Sequence, residues 1–535
     1  MKNKPLGKQV QALQKSEGKR NFAFIMDRGC GKTYTTLADA ERCWVGGKID
    51  ALLVVCPKVA VHNWLHREIK QHMDIPVIGH AWRGMNTKAE EKDFDALFTA
   101  NLEPSPLRVF IINIDAVNFP KGIAACEKFL RCFRVMMVVD ESTRIKNPQS
   151  KRTKKVIELG RSATARRILS GTPLTKSPND LFSQFEFLKP GLLGTKSYRA
   201  FVAEYNVLMD PSSPQMIGMI RASNIRMPSR LQELIHKKVL RPGSAPEPGV
   251  KYLTAGELIE RDELLARVAP QITVKDQVTG NPQFRNLDRL IEKLQPHVFR
   301  AKLEDMVDMP PAIYQTAHFE LNPTQMKTYK TMEDNYAYQN IDTMDVHSFQ
   351  AIAARTKLRQ ITSGFINIDG KPVPLGMASN PRLDALKDVV EDLEGSFIIW
   401  CCFDEELRVV AELMESMGIS HRIYNGSTKT AERETIIDGF QAGEFTAFLG
   451  NPAACGIAVT LTAAKTAVYY SEGYDYELRL QSEARPRRIG TVDHIVYIDL
   501  VAKGTIDEDI AQNHQMKQSV AAYVIDGEGS AQTFT

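Results

Sequence analysis

Five consecutive residues, Gly29-Cys30-Gly31-Lys32-Thr33, stand directly after an apolar run at 22–26 and before a helix-like stretch at 34–42. A strand, a glycine-rich turn and a helix start in that order aim backbone N–H groups and a helix N-terminus at an anion. Glycine is needed there because a side chain would block the close approach. Lys32 then reaches β- and γ-phosphate oxygens, and the Thr33 hydroxyl suits Mg²⁺. The eight-residue form of this pattern asks for glycine where Met26 stands, so the match is partial.

A second apolar run, 135–139, delivers Asp140-Glu141-Ser142-Thr143. Transfer of a phosphoryl group to water asks for such a pair: one carboxylate for the magnesium shell and one to polarise the attacking water. Asp140 fits the first role and Glu141 the second. An Asp-Glu pair alone is more often a solvated strand end. The phosphate loop upstream is what makes the functional reading the better one.

These residues need elements to position them. Short apolar runs at 22–26, 51–56, 109–114, 135–139 and 168–170 alternate with helix-like stretches, as buried parallel strands with crossover helices do. The rhythm breaks over 197–285 and returns after about 380, with runs at 397–402, 421–424, 447–449, 467–470 and 494–500. The spacing predicts an α/β protein of two tandem lobes, with domains at 1–196 and 311–520, a mainly helical insert at 197–310 and a flexible tail at 521–535. Segments 210–215 and 241–249 read as loops, and 287–294 and 321–338 as helices that bridge the lobes.

The composition agrees. The 535 residues are 43% hydrophobic and 25% charged, which is ordinary globular usage and excludes fibrous and globally disordered classes. Lys+Arg 68 against Asp+Glu 64 leaves a net charge of +4, too balanced to indicate an anionic partner by itself. The eight cysteines form no C-x-x-C pair, and no apolar run nears the ~18 residues of a membrane helix. A reducing, cytoplasmic setting without a membrane partner is expected.

Taken in order, the motifs resemble the motor ATPases of helicase superfamily 2, in particular the Swi/Snf-type branch. Pro5 and Gln9 resemble an adenine-reading Q motif, and Gly29 to Thr33 motif I. Val54-Val55-Cys56-Pro57 with Trp64 resembles motif Ia, Asp140 to Asn147 motif II, and Leu169-Ser170-Gly171-Thr172-Pro173 motif III. In the second half, 399–403 resembles motif IV, 456–462 motif V, and Gln481-Ser482-Glu483-Ala484-Arg485-Pro486-Arg487-Arg488 motif VI.

The resemblance implies two RecA-like lobes with ATP and Mg²⁺ held between them. Gln9, Gly29, Cys30, Gly31, Lys32, Thr33 and Gly456 would bind nucleotide, with Thr33 and Asp140 at the metal. Gln481 and the arginine fingers Arg485 and Arg488 would serve catalysis beside Lys32, Asp140 and Glu141, and Ser170 and Thr172 would relay cleft closure. DNA is the implied partner, duplex before single strand, contacted by Lys58, Arg144, Lys146, Lys151, Arg152 and Thr460. A compact prokaryotic or viral translocase or helicase of replication, recombination or repair is therefore expected. Its rivals are the motor of a restriction-type system and a non-hydrolysing scaffold.

Some positions depart from the family pattern. Thr143 stands where histidine is usual, Arg28 where an uncharged residue is, Ala484 for an acid and Thr491 for glutamine. None removes a catalytic group. Arg161, Arg166 and Arg167 extend the basic stretch after motif II, whereas Trp64 and Trp400 read as core residues rather than base-stacking ones. Cys30 reads as a space-filler and not as a redox switch.

Overall fold

This computed structural model describes residues 1–84, 87–99, 105–222, 227–239, 250–269, 271–274, 282–306, 309–343, 349–375, 379–455, 459–488, 491 and 493–526. The first seven strands are β1 (Asn21–Met26), β2 (Ala51–Cys56), β3 (Val77–Ala81), β4 (Leu107–Asn113), β5 (Val135–Asp140), β6 (Ala165–Ser170) and β7 (Val298–Ala301). They form one parallel sheet in the order β3-β4-β2-β5-β6-β1-β7. Its strands are apolar on both faces because helices cover both. Val135, Met137 and Val139 of β5 belong to one core, Met136 and Val138 to the other.

The second sheet is also parallel. Its strands β8 (Ile313–Phe319), β11 (Phe397–Trp400), β12 (His421–Tyr424), β13 (Ala447–Gly450), β14 (Thr466–Tyr469) and β15 (Val496–Ala502) run in the order β12-β13-β11-β14-β15-β8. A small antiparallel hairpin, β9 (Phe365–Ile368) and β10 (Lys371–Pro374), stands apart from it. Phe397, Ile399 and Cys401 pack on one side of this sheet, Ile398 and Trp400 on the other. The two α/β lobes anticipated from the apolar rhythm are present.

Three strands of the two main sheets escaped the pattern reading, as did the hairpin β9–β10. β3, β7 and β8 lie at sheet edges, and β8 is exposed along most of its length, so none carries a continuous apolar run. β7 falls within the stretch 197–310 yet pairs with β1, so the end of that stretch builds the first sheet. The helix Leu287–Leu294 likewise packs Leu287, Leu290 and Leu294 into the first lobe's core and does not bridge the lobes. Within the insert, Met216, Ile220, Leu231, Ile235, Leu265 and Ala269 close a small core of their own. The loop expected at 241–249 lies outside the described residues, and part of the one expected at 210–215 is helical from Pro214.

The bridge between lobes is the C-terminal helix Ile506–Ala521, capped by Thr505 with Asp507, Glu508 and Asp509 in its first turn. Ile506 and Ile510 sit in the second lobe's core, and Val520, Tyr523 and Val524 in the first lobe's. Asp526 then pairs with Arg300 of β7 at 2.5 Å, and the Tyr523 hydroxyl bonds Asp288. The described part of the segment expected as a flexible tail, up to Asp526, is thus anchored: two large apolar side chains and an ion pair offset the entropy of ordering it. Among the described residues no helix is long and apolar enough to cross a membrane.

Two arginines of the basic stretch are internal. Arg167 is 1% exposed and its Nε bonds the fully buried Asp39 at 2.7 Å, while Arg166 donates to the Phe187 carbonyl at 2.8 Å. Neither can meet a polymer. Asp39 also holds Arg42, but it is the buried Arg167 guanidinium that its loss strands. Asp39→Ala is expected to lower stability by about 3–5 kcal/mol, read as a fall in the urea midpoint, with Arg42→Ala costing far less because Arg42 reaches solvent.

Candidate functional site

In a parallel sheet every strand C-terminus lies on the same edge, and here β1 and β5 flank β6. The residues after Met26, Asp140 and Ser170 are therefore neighbours, although 114 and 144 positions separate Met26 from the other two. Gly29 and Gly31 take φ of 87° and 74°, the left-handed region that glycine enters without strain, and Gly31 caps the helix Lys32–Val45. A Cβ on Gly31 would lie 2.4 Å from Gln9 Nε2. That closeness has a purpose: Gln9 Nε2 donates to the Cys30 carbonyl at 3.1 Å, and its Oε1 accepts from Leu6 N–H at 2.9 Å. Gln9 thus buttresses the loop with its amide nitrogen and caps the start of its own helix with its amide oxygen.

Lys32 curls back on the loop, its Nζ donating to the carbonyls of Met26 at 2.8 Å and Asp27 at 3.1 Å. Burial lowers its pKa, opposed by the nearby Glu141 carboxylate. Asp27 fixes the loop to β7, accepting from Arg300 at 2.5 Å and from Leu303 N–H at 3.2 Å. Cys30 is buried and its thiol is pushed up to about 12, chiefly by desolvation.

Asp140 accepts from Trp64 Nε1 at 3.0 Å and from Glu141 N–H at 2.9 Å. Its pKa rises to about 6, first from burial and then from Glu141, against the Trp64 bond and Lys32. Trp64 is thus a core residue that also orients a carboxylate, a link that only the packing reveals. Glu141 takes φ 49° and ψ 61°, a conformation costing a non-glycine residue about 1–2 kcal/mol. The turn is held there by Ser142, whose hydroxyl donates to Gln184 at 2.6 Å, and Gln184 in turn donates to the carbonyls of Pro173 and Asp180. Asp180 accepts from Thr175 and Lys176, so one hydrogen-bonded chain joins the turn after β5 to the loop after β6.

The donor chemistry fits magnesium: the Thr33 hydroxyl and Asp140 are hard oxygens, and Asp140 keeps acceptor capacity beyond its two bonds. Among the described residues no cluster of three or more His, Cys, Asp or Glu could hold a metal. Such sparse ligation suits an ion that is carried largely by phosphates and water.

From the second lobe, Arg485 and Arg488 both donate to the Val459 carbonyl, at 3.3 and 3.1 Å. Arg485 is pushed down to about 9, first by burial, then by Arg28 and Arg488. Thr491 braces the Arg488 turn, its hydroxyl accepting from Arg488 N–H at 3.1 Å. Gln481 does not join the fingers: it donates to Glu477 at 3.2 Å. Glu477 also accepts from Thr143 at 3.0 Å and lies 3.5 Å from Lys146, so it clasps the first lobe. The position where histidine is usual is therefore served by a hydroxyl matched to a carboxylate that sequence reasoning did not single out.

Ser170 is buried and accepts from Thr172 N–H at 3.1 Å. Thr172, with Asp27, Arg28 and Gly171, lines an inter-lobe cavity closed by Glu483, Ala484 and Arg487. A larger cavity of about 500 Å³ gathers Lys58, Arg144, Lys146 and Arg152 with Asp115, Asp475 and Glu477. Two of these cations are engaged: Arg152 pairs with Asp115 at 2.5 Å, and Lys146 donates to Thr175 at 2.5 Å. Lys151, exposed, and Thr460, half-buried, do not line this cavity, and Gly456 lies outside the described residues.

Comparison with known proteins matches residues 10–370 to the SNF2-related domain and 381–490 to the helicase conserved C-terminal domain. Protein CHROMATIN REMODELING 19 of Arabidopsis thaliana is 21% identical over 500 residues, covering 89% of this chain and 62% of that protein. The human DNA repair and recombination protein RAD54B is 22% identical over 496 residues, covering 90% and 49%. The chain thus spans about half to three-fifths of the length of these relatives. A Sulfolobus solfataricus SWI2/SNF2 ATPase core in complex with dsDNA is 19% identical, with a TM-score of 0.36 over 99% of this chain and 95% of that one. With one family model covering well over half its length and a helicase C-terminal match over the second lobe, the chain belongs to the SNF2-related family of superfamily 2.

Proposed function

We propose that this protein hydrolyses ATP between its lobes and uses the closure of that cleft to move on DNA, duplex in preference to single strand. The observation that carries this reading is the meeting of Lys32, Thr33, Asp140 and Glu141 at one sheet edge, opposite Arg485 and Arg488 on the facing lobe. Lys32 binds the β- and γ-phosphates after leaving its two loop carbonyls, and Glu141 orients and polarises the attacking water. Thr33 and Asp140 hold Mg²⁺, which when bound neutralises phosphate charge. Arg485 and Arg488 exchange the Val459 carbonyl for the transferring phosphoryl group, whose charge a guanidinium stabilises well in a dry cleft. Because these arginines come from the other lobe, hydrolysis and closure are tied together.

The Thr143–Glu477–Gln481 group is the mechanical link. It joins the turn bearing Glu141 to the helix Tyr476–Glu483 that precedes the fingers. The cavity lined by Lys58, Arg144, Lys146 and Arg152 is the face offered to a phosphate backbone, where cations position a duplex without reading bases. The name of the RAD54B relative favours repair or recombination as the setting. The domain division is 1–196, 197–310 and 311–520, with β7 and the anchored C-terminal segment completing the first lobe. A non-hydrolysing scaffold would have no use for Lys32, Glu141 and two cross-lobe arginines in one cleft.

ATP turnover measured with no polymer, single-stranded DNA, duplex DNA and RNA tests this reading. Duplex DNA is expected to stimulate most. Glu141→Gln should lower turnover by about 10²–10⁴-fold and Arg488→Ala by about 10³-fold. Absence of turnover with every polymer would leave the scaffold standing. Thr143→Val removes one bond to Glu477, worth about 1 kcal/mol, so the ratio of duplex-stimulated to unstimulated turnover should fall about five-fold. An unchanged ratio would place the coupling elsewhere. A thiol switch in the phosphate loop predicts the reverse of what burial dictates for Cys30: with its pKa pushed up to about 12, the thiol stays protonated at pH 8. Native alkylation at pH 8 followed by peptide mass spectrometry should mark the exposed Cys132 and spare Cys30.

A further inference from the structure

Arg28 is the residue of the phosphate loop that the mechanism above leaves unused. Its backbone N and Cγ lie 3.6 and 3.7 Å from where a Cβ on Gly171 would stand, so it is wedged between the phosphate loop and the loop after β6. One terminal nitrogen, NH2, lies 3.6 Å from Glu141 Oε1. The other, NH1, is buried with no hydrogen-bond partner among the described residues. A buried guanidinium N–H left unpaired costs about 1–3 kcal/mol, so this donor is aimed where a partner is missing.

The surrounding charge says what kind of partner that is. Arg28, Lys32, Arg485 and Arg488 gather near Asp140 and Glu141, with Arg67 beside Arg488 and Asp27 lining the same cavity as Arg28. Arg28 is the foremost charged neighbour depressing both Arg485 and Arg488, and it also depresses Lys32. The missing partner is therefore an anion that lies between the loop and the fingers. Glu141 marks the same end of the cleft: a carboxylate that polarises the attacking water stands beside the phosphate being attacked, and Arg28 already reaches it.

We propose that Arg28 is the cleft's sensor of the terminal phosphate: without nucleotide it holds Glu141, and a triphosphate draws it away and frees that carboxylate for water. This rests on the ATPase reading and deepens it. The exchange is between two anions for one guanidinium, so the coupling is reciprocal. A change on the Glu141 side that weakens the pair strengthens triphosphate binding, and a diphosphate, which does not reach Arg28, is indifferent to it. Arg28 is on this account a positioning and specificity-determining residue. It delays the readiness of Glu141 until the right ligand is in place.

The test is calorimetric binding, with Mg²⁺ present, of ADP and of a non-hydrolysable triphosphate analogue to the full chain as wild type, Arg28→Met, Arg28→Lys, Glu141→Gln and the double variant Arg28→Met/Glu141→Gln. Arg28→Met should weaken the triphosphate analogue by about tenfold or more and ADP by less than about twofold, the difference one charge-assisted hydrogen bond makes. Arg28→Lys should recover part of the loss. Glu141→Gln should tighten the analogue in the wild-type background and have no effect once Arg28 is methionine. Equal weakening of both nucleotides, no weakening of either, or the same effect of Glu141→Gln in both backgrounds would overturn the proposal. That third result does not require Arg28→Met to be as stable as wild type, because the background is common to both arms. Wild-type protein that binds neither nucleotide would fail the ATPase reading itself, a result distinguishable from all of these.

Discussion

The parallel ladder that sets β1 and β5 on either side of β6 is the constraint on which the rest of the cleft depends. Parallel strands need crossover connections, and those connections return every strand in the same direction. Loops that are far apart in sequence are thereby forced together at one edge, while the apolar bodies of the strands are buried on both faces. The phosphate loop after β1, the carboxylates after β5 and the serine-threonine turn after β6 need no long-range recognition of one another. They are adjacent because their strands are hydrogen-bonded neighbours.

Fine positioning rests on a second layer of polar contacts. Gln9 supports the loop carbonyl, Trp64 and a backbone N–H orient Asp140, and the Ser142–Gln184–Asp180 chain holds Glu141 in a backbone conformation it would not otherwise choose. In the second lobe the fully buried Glu406 does similar work. It accepts from Ser363, Ser471 and the N–H groups of Cys402 and Phe403, which ties the turn after β11 to the turn after β14. A buried carboxylate with four donors is satisfied, and the loops it joins cannot move independently. The lobes differ in this respect from the contacts between them: Glu477 reaches Thr143 and Lys146 through partly exposed bonds. Buried bonds thus tie the interior of the second lobe, and partly exposed ones tie the seam.

Departures from the family pattern prove informative when their neighbours are known. Thr143 is shorter than histidine, and Glu477 comes forward to meet it. Arg28 brings a charge into the loop, and Glu141 answers it. The C-terminal helix adds a tether, with apolar anchors in both lobes and Asp526 on the same Arg300 that grips Asp27 of the phosphate loop. One guanidinium thereby links the tether to the phosphate loop, beside the backbone bond from Asp27 N–H to the Ala301 carbonyl.

The two α/β lobes, the central strands and the order of motifs were legible from the residues alone, because buried strands and phosphate loops obey local rules of apolar run length and glycine placement. It also marked Lys32, Asp140, Glu141, Arg485 and Arg488. The edge strands β3, β7 and β8 were not legible, since a half-exposed strand has no continuous apolar run. The burial of Arg166 and Arg167 was equally hidden, because a charge run in one dimension looks the same whether it faces water or an aspartate such as Asp39. Folding alone brings Arg28 to Glu141, Trp64 to Asp140 and Glu477 to Thr143, and straps residues 506–526 across both lobes. Each of these joins residues tens to hundreds of positions apart, and such pairings follow from the three-dimensional packing of elements rather than from any period in the sequence.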